Sequence, residues 1–256
     1  MPRIAAALFL ALVLALPLSA AALERDGSGR VVEVVDGDTL ILEDGREVRL
    51  VGIQAPKLPL GRPNFQAWPL ADDARTALET LAQDKVVYLS YGGRRVDRYR
   101  RQLAHLHDLE GVWIQAELLR LGMARVYSFA DNRAAVGELL AFEQEARGAR
   151  RGIWRHPFYY VRDAADLAGA IDGFHVVEGT VRAVATVRQW TYLNFGDDWR
   201  TDFTVSIGAK GRRLFPEAAL TPGKLEGRRI RVRGWLQSRN GPMIEATHPE
   251  QIEFID

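Results

Sequence analysis

The sequence predicts a mainly β protein with interspersed helices, an α+β chain in which two small β-barrels follow one another. Short runs rich in β-branched residues begin at Arg30 and recur almost to the C-terminus. Sustained helical spacing is confined to the stretch before residue 160. Beyond residue 175, alternating segments at Val176–Val187, Thr191–Phe195, Phe203–Ile207, Arg229–Leu236 and Met243–Phe254 supply five strands, enough for a small closed or partly open barrel of the OB type.

Residues 1–22 stand apart. Arg3 is their only charge, Ile4 to Leu18 is an apolar run broken by Pro17, and small residues follow at 19–22. Such a run falls short of the ~20 residues of a spanning helix, so a removable secretory signal is expected, with no membrane insertion after its removal and a secreted or periplasmic location. With no Cys in the chain, neither a disulfide framework nor a lipid-carrying cysteine is available. A composition of 47% hydrophobic and 26% charged residues is ordinary for a globular protein and excludes disorder. Net charge is +1, so a polyanionic partner needs a local basic patch.

The first barrel unit is expected over 23–160. Val31–Val35, Thr39–Leu42 and Glu47–Ile53 read as strands, with Asp44-Gly45 as a two-residue hairpin turn. A Pro-containing loop at 56–69 precedes a helix over Ala71–Ala82, with Asp72 and Asp73 in its first turn. Lys85–Tyr91 and Leu103–His107 read as strands, Val112–Leu121 and Asn132–Arg151 as helices stopped by Gly122 and Gly152. Residues 161–174 show no period and read as a linker, with the second unit over 175–256 and a short helix near Pro216–Leu220.

Chemistry concentrates in Asp36-Gly37-Asp38-Thr39, in Arg49–Lys57 (RLVGIQAPK) and in Asp97–Ala104 (DRYRRQLA). A two-residue turn would set Leu40 opposite Arg49 and bring Asp38 and Arg49 to one face, as a salt bridge or as part of a site. Arg94, Arg95, Arg98, Arg100 and Arg101 crowd around Tyr99. That run reads either as a solvated loop or as a phosphate grip, since guanidinium planes match phosphate bidentately.

Together VVDGDTLIL, EVRLVGIQAP, DRYRRQLAHL, GVWIQAELLRLGMARV and the closing GIW resemble the staphylococcal nuclease (thermonuclease) family from about Val31 to Trp154. The resemblance implies a five-stranded OB barrel with three helices and action on DNA or RNA. In that family, Ca²⁺ held by two Asp carboxylates and a backbone carbonyl polarises the phosphodiester, a Glu acts on the attacking water, and two Arg clamp the phosphate. Carried over by position, Asp38 matches the first carboxylate ligand, Arg49 and Arg101 the clamping pair, and Arg98 with Tyr99 the holders of a neighbouring terminal phosphate. Gln54 stands at the second carboxylate ligand, Ala55 at the carbonyl position and Lys57 at the general base. One ligand charge is thus missing and the base position carries a cation, which implies a weakened Ca²⁺ site and altered or lost cleavage.

In the second unit Arg229, Arg231 and Arg233 alternate along one strand, either as a phosphate-tracking stripe or as a solubilising face, with Trp190, Tyr192, Phe195, Trp199 and Trp235 as stacking or core aromatics. His105 and His107 share a strand face as packing or surface residues, and Ser128 and Ser206 lack a neighbouring His that would suggest a serine nucleophile. The leading expectation is an exported phosphodiesterase. A non-catalytic nucleic-acid-binding module and an envelope protein- or glycan-binding protein are the alternatives.

Overall fold

The computed structural model describes residues 23–167 and 169–255, leaving aside the side chains of 217 and 218. The leader expected at 1–22 lies outside them. The first unit comprises β1 (Glu24–Asp36), β2 (Thr39–Leu42), β3 (Glu47–Leu50), β4 (Gly52–Gln54), α1 (Ala71–Ala82), β5 (Val86–Tyr91), β6 (Gln102–His107), α2 (Ile114–Arg120), β7 (Arg125–Tyr127) and α3 (Val136–Gly148). Five of these strands close a barrel in the order β1-β2-β3-β6-β5, parallel between β3 and β6 and antiparallel elsewhere. Alternate β-branched and leucine side chains point inward, so Val31, Leu40, Leu42, Val48, Leu50, Leu89 and Leu106 meet the apolar faces of the helices at Leu78, Leu118 and Leu139.

The helix expected over Ala71–Ala82 forms with those bounds. The first hairpin does not form as expected. Leu42 N–H donates to Arg46 O at 2.9 Å, and the loop holds three residues, Glu43 to Gly45, with Gly45 at φ 83°. The register becomes Thr39↔Arg49 and Leu40↔Val48, one residue away from the two-residue-turn register. The third helix is shorter than its pattern because Ala135 at φ 60° and Arg150 at φ 51° lie in the left-handed region and cannot continue a right-handed helix. Gly122 and Gly152 are there for close approach: a Cβ on Gly152 would sit 2.2 Å from Gly122 O, while Ile153 N–H donates to that same oxygen at 2.8 Å.

The second unit comprises β8 (Arg162–Asp163), β9 (Gly173–Thr180), β10 (Ala183–Val187), β11 (Trp190–Asn194), β12 (Thr204–Ile207), β13 (Arg229–Ser238), β14 (Pro242–Glu245) and β15 (Ile252–Phe254). Its pairing order is β10-β11-β12-β14-β13-β9-β8, with β15 against β13. Counting β9 and β10 as one strand interrupted at 181–182, this repeats the order of the first barrel, including the parallel third-to-fifth pairing between β12 and β14. The stretch 161–174 is not a free linker. Arg162–Asp163 pairs parallel to β9, and Leu167 and Ala170 are buried with the second core. Glu217–Leu220 is a 3₁₀ turn, and Pro249, which has no N–H to give a ladder, splits the last expected strand at Pro249–Gln251. Among the described residues no helix is long and apolar enough to cross a membrane.

The two units meet through buried and half-buried polar groups. Arg233 is 1% exposed and donates to Glu143 of α3 at 2.9 Å, to Val126 O at 3.3 Å, and to Glu253. Burial alone would raise the Glu143 carboxyl, but Arg233 and Arg147 outweigh it and hold the group ionised. Arg133 grips both Glu250 carboxylate oxygens through its Nε and Nη2 at 2.8–3.1 Å. The alternating arginines, read as a phosphate stripe or a solubilising face, pair within the chain: Arg231 with Glu178 and Glu253, and the exposed Arg229 with Glu178. Ser128, expected to lack a histidine, lies 2.7 Å from His248 Nε2 across this junction. Ser128 is not among the residues lining the cleft beside Tyr127 and Phe129, and its pair with His248 ties the units together.

Candidate functional site

A cleft of about 470 Å³ opens beside the β3–β6 edge, lined by Arg49, Arg94, Arg98, Tyr99, Arg101, Tyr127 and Phe129 among others. Leu103, two residues after Arg101, is the β6 partner of Arg49, which is why the two arginines serve one cleft. Around Tyr99 the chain turns on Asp97, whose Oδ1 accepts from the Tyr99 and Arg101 N–H groups at 2.8 and 3.0 Å. Arg98 donates to the Tyr99 hydroxyl at 2.7 Å, and Arg101 is held by Asp97 at 2.8 Å. Arg98, Tyr99 and Arg101 thus share one open, basic wall, and Arg49 lines the same cleft.

Their engagement differs. The Arg49 side chain is 12% exposed, donating to Leu50 O at 2.6 Å and Ile53 O at 2.7 Å and lying 3.3 Å from Asp38. Arg101, at 26%, is the more open of the pair.

Behind Arg49 lies a closed ionic cluster. Lys57 Nζ is 2.7 Å from both Asp38 carboxylate oxygens and 3.2 Å from Asp36 Oδ2. Ala55 N–H donates to Asp38 Oδ2 at 2.7 Å, and Asp38 N–H to Asp36 Oδ1 at 3.0 Å. Burial would raise the wholly buried Asp38 carboxyl, but Arg49 and Lys57 overcome that and bring it down to about 2. Asp36 goes the other way, pushed up by burial and by Asp38 against the pull of Lys57. The Asp36-Gly37-Asp38 spacing is the sequence signal for this second carboxylate, to which the family resemblance assigns no role.

Gln54 is not where a metal ligand would be. Its Oε1 accepts from Arg125 Nε at 3.1 Å and from the second guanidinium edge at 2.8 Å. Arg125, 4% exposed, donates onward to Phe174 O of the second unit at 3.1 Å and lies over the Phe174 ring at 4.5 Å. Nothing in the sequence singled Arg125 out, since it sits in a three-residue strand that periodicity does not register.

A resident Ca²⁺ does not fit this donor set. Both carboxylates face an ammonium, the Gln54 amide oxygen serves a guanidinium, and among the described residues no group of three or more His, Cys, Asp or Glu side chains is placed to hold a metal. The site's own charges already balance, two carboxylates against Lys57 and Arg49.

The histidines stay apart from the cleft chemistry. Burial brings the His105 ring down to about 3, and it packs against Trp113 at 5.4 Å, which also stacks on His107. A second cleft of about 400 Å³, lined by Tyr192, Trp199, Arg239 and Met243, lies on the β10–β11–β12 face without a comparable arginine cluster.

Comparison with known proteins adds the following. The family described as staphylococcal nuclease homologue matches residues 47–156. An "Uncharacterized endonuclease" of Escherichia coli O157:H7 is 32% identical over 132 residues, covering 50% of this chain and 78% of that protein. "Protein ParB" of Escherichia coli is 36% identical over 146 residues, 50% of this chain and 73% of its own. A "Micrococcal nuclease" of Shigella flexneri is 29% identical over 143 residues, covering 52% and 76%.

Proposed function

Because this chain belongs to the staphylococcal nuclease homologue family, we propose that it is an exported phosphodiesterase acting on DNA or RNA, working with altered metal dependence. The observation that carries the reading is the Lys57 ammonium, 2.7 Å from both Asp38 oxygens, with Arg49 beside it and the open Arg98, Tyr99 and Arg101 wall in front. Phosphoryl transfer depends mostly on positioning and on stabilising charge that develops on phosphate oxygens. Arg101 and Arg49 supply that charge at fixed positions, Arg98 and Tyr99 orient the neighbouring phosphate, and Lys57 neutralises the buried carboxylates without a bound cation. A protonated lysine cannot take the proton of an attacking water, so the rate is expected to fall by ~10²–10⁴ relative to a site with a positioned base. Export rests on the charged-then-apolar leader at residues 1–22.

The same Lys57 geometry favours a second reading, a nucleic-acid-binding module that does not cut. A cleavage assay on labelled single-stranded DNA and RNA separates the two. The mature chain is compared with Ca²⁺ and with chelator, beside an Arg49→Ala/Arg101→Ala double variant. Cleavage that survives chelator and vanishes in the double variant is the expected result. Cleavage abolished by chelator defeats the altered metal dependence, and retained binding without cleavage leaves the module.

A further inference from the structure

The arginine cleft does not end at the first unit. On its floor Tyr127 meets Phe129 edge-on at 4.9 Å and, on its other side, Phe174 of the second unit at 4.9 Å. Phe174 in turn meets Trp235 of β13 at 6.5 Å, and the Trp235 indole N–H donates to the Tyr127 hydroxyl at 3.0 Å. Two members of this run present open rings: Phe129 is 48% exposed and Trp235 45%. An indole in a core would be covered, and one needed only for its hydrogen bond would not have to show its face to water. The aromatic run therefore starts among Arg94, Arg98 and Arg101 and continues across the junction.

We propose that Trp235 is a stacking platform for single-stranded nucleic acid, extending the substrate groove so that a strand whose phosphate sits on the arginine wall lays a further base on the second unit. This rests on the phosphodiester-binding reading of the cleft. Charge favours such an occupant. With Arg49 balanced by Asp38, Arg94, Arg98 and Arg101 face Asp97 and Asp131 along the lining, leaving an excess of one positive charge where a phosphate backbone would enter. Every base has a π-face, so stacking of this kind grips a strand without reading its sequence. The second unit then acts as a length discriminator: a nucleotide or dinucleotide occupies the arginine wall alone, and only a longer strand reaches Trp235. The feature is built by both units, because Trp235 is anchored to Tyr127 while Arg125 fixes Phe174 through its carbonyl.

The test measures binding of phosphorothioate-linked dithymidylate and decathymidylate by fluorescence anisotropy, using the full mature chain, with Trp235→Ala, Trp235→Phe and Arg101→Ala beside the wild type. Trp235→Ala should weaken the decamer about tenfold and leave the dimer unchanged, the scale of one lost stacking contact. Trp235→Phe, which keeps a ring and loses the indole hydrogen bond, should hold decamer affinity within about threefold, and Arg101→Ala should weaken both probes. Decamer binding that ignores Trp235→Ala while responding to Arg101→Ala overturns the platform and leaves the cleft reading standing. Equal weakening of both probes by both Trp235 variants also overturns it, since Trp235 would then act only by holding Tyr127. If neither probe binds the wild type, the cleft reading falls and the platform with it.

Discussion

Two halves of one site carry almost the same charges and put them to opposite uses. On the cleft wall, Tyr99 and Arg101 lean on Asp97, Arg98 leans on the Tyr99 hydroxyl, and all three open toward solvent. A few ångströms behind, the buried Asp36 and Asp38 are paired with the half-buried Lys57 and Arg49. Charged residue type alone does not distinguish a site from a structural ion cluster. What distinguishes them is whether the counter-charge comes from a ligand or from the chain. Ionic groups out of water are held only when fully paired, whereas exposed pairs are weak and exchangeable. The closed half is thus a stability element, and the open half is the part free to meet substrate.

The comparison breaks first at Asp38. Asp38→Ala leaves two cations facing a buried void and should cost ~3–5 kcal/mol of unfolding free energy in urea titrations. A loss below 1 kcal/mol would mean that the cluster is not closed. On the other wall, Arg101→Ala should lower single-turnover cleavage by ~10²–10³ while changing stability by less than ~1 kcal/mol. Equal effects on stability from the two variants would erase the distinction. Replacing the internal ammonium, Lys57→Glu, presents three carboxylates to solvent ions. Calcium at ten times its dissociation constant should then raise the melting temperature by roughly 3–6 °C, with no rise for the wild-type chain. A wild-type rise of the same size would show that Lys57 does not occupy the cation's place.

Acid separates the regions more gently. Burial brings the His248 ring at the junction down to about 4, so the unfolded chain binds its proton first, and the stability it contributes is lost as pH falls from 6.5 toward 4. His105, lowered to about 3, adds to the same slope. Asp38, held at about 2, gives up its contribution only between pH 3.8 and 2. Urea midpoints taken from pH 7 to pH 3 should therefore fall before the carboxylate cluster titrates, and His248→Gln should flatten part of the early slope. A midpoint flat to pH 4 would contradict this order.

Local patterns carried much of the fold. The first helix was legible because Ala74, Leu78 and the acids of its first turn follow from spacing alone. The hairpin register slipped by one because a three-residue loop with Gly45 in the left-handed region and a two-residue turn look alike in sequence. Asp38 still met Arg49, since Asp38 lies one residue before the Thr39↔Arg49 pair and its carboxylate comes within 3.3 Å of the guanidinium. The arginine alternation in β13 was also visible, but its meaning lay in Glu143 and Glu178, which are distant in sequence and adjacent only in space. Gln54 failed as a ligand for the same reason. Its partner Arg125 lies 71 residues away, and nothing local announces a guanidinium waiting for an amide oxygen.

That last contact reaches beyond the site. Gln54 is bound by Arg125, Arg125 by the Phe174 carbonyl, and the buried Glu143 by Arg233. Separating the units would open Glu143 and Arg125 to water and deprive them of Arg233 and the Phe174 carbonyl, so the first barrel of this chain is fitted to its companion. Recombination that moved it without its companion would carry away the arginine wall and lose the keystones behind it, and melting should run as one cooperative transition.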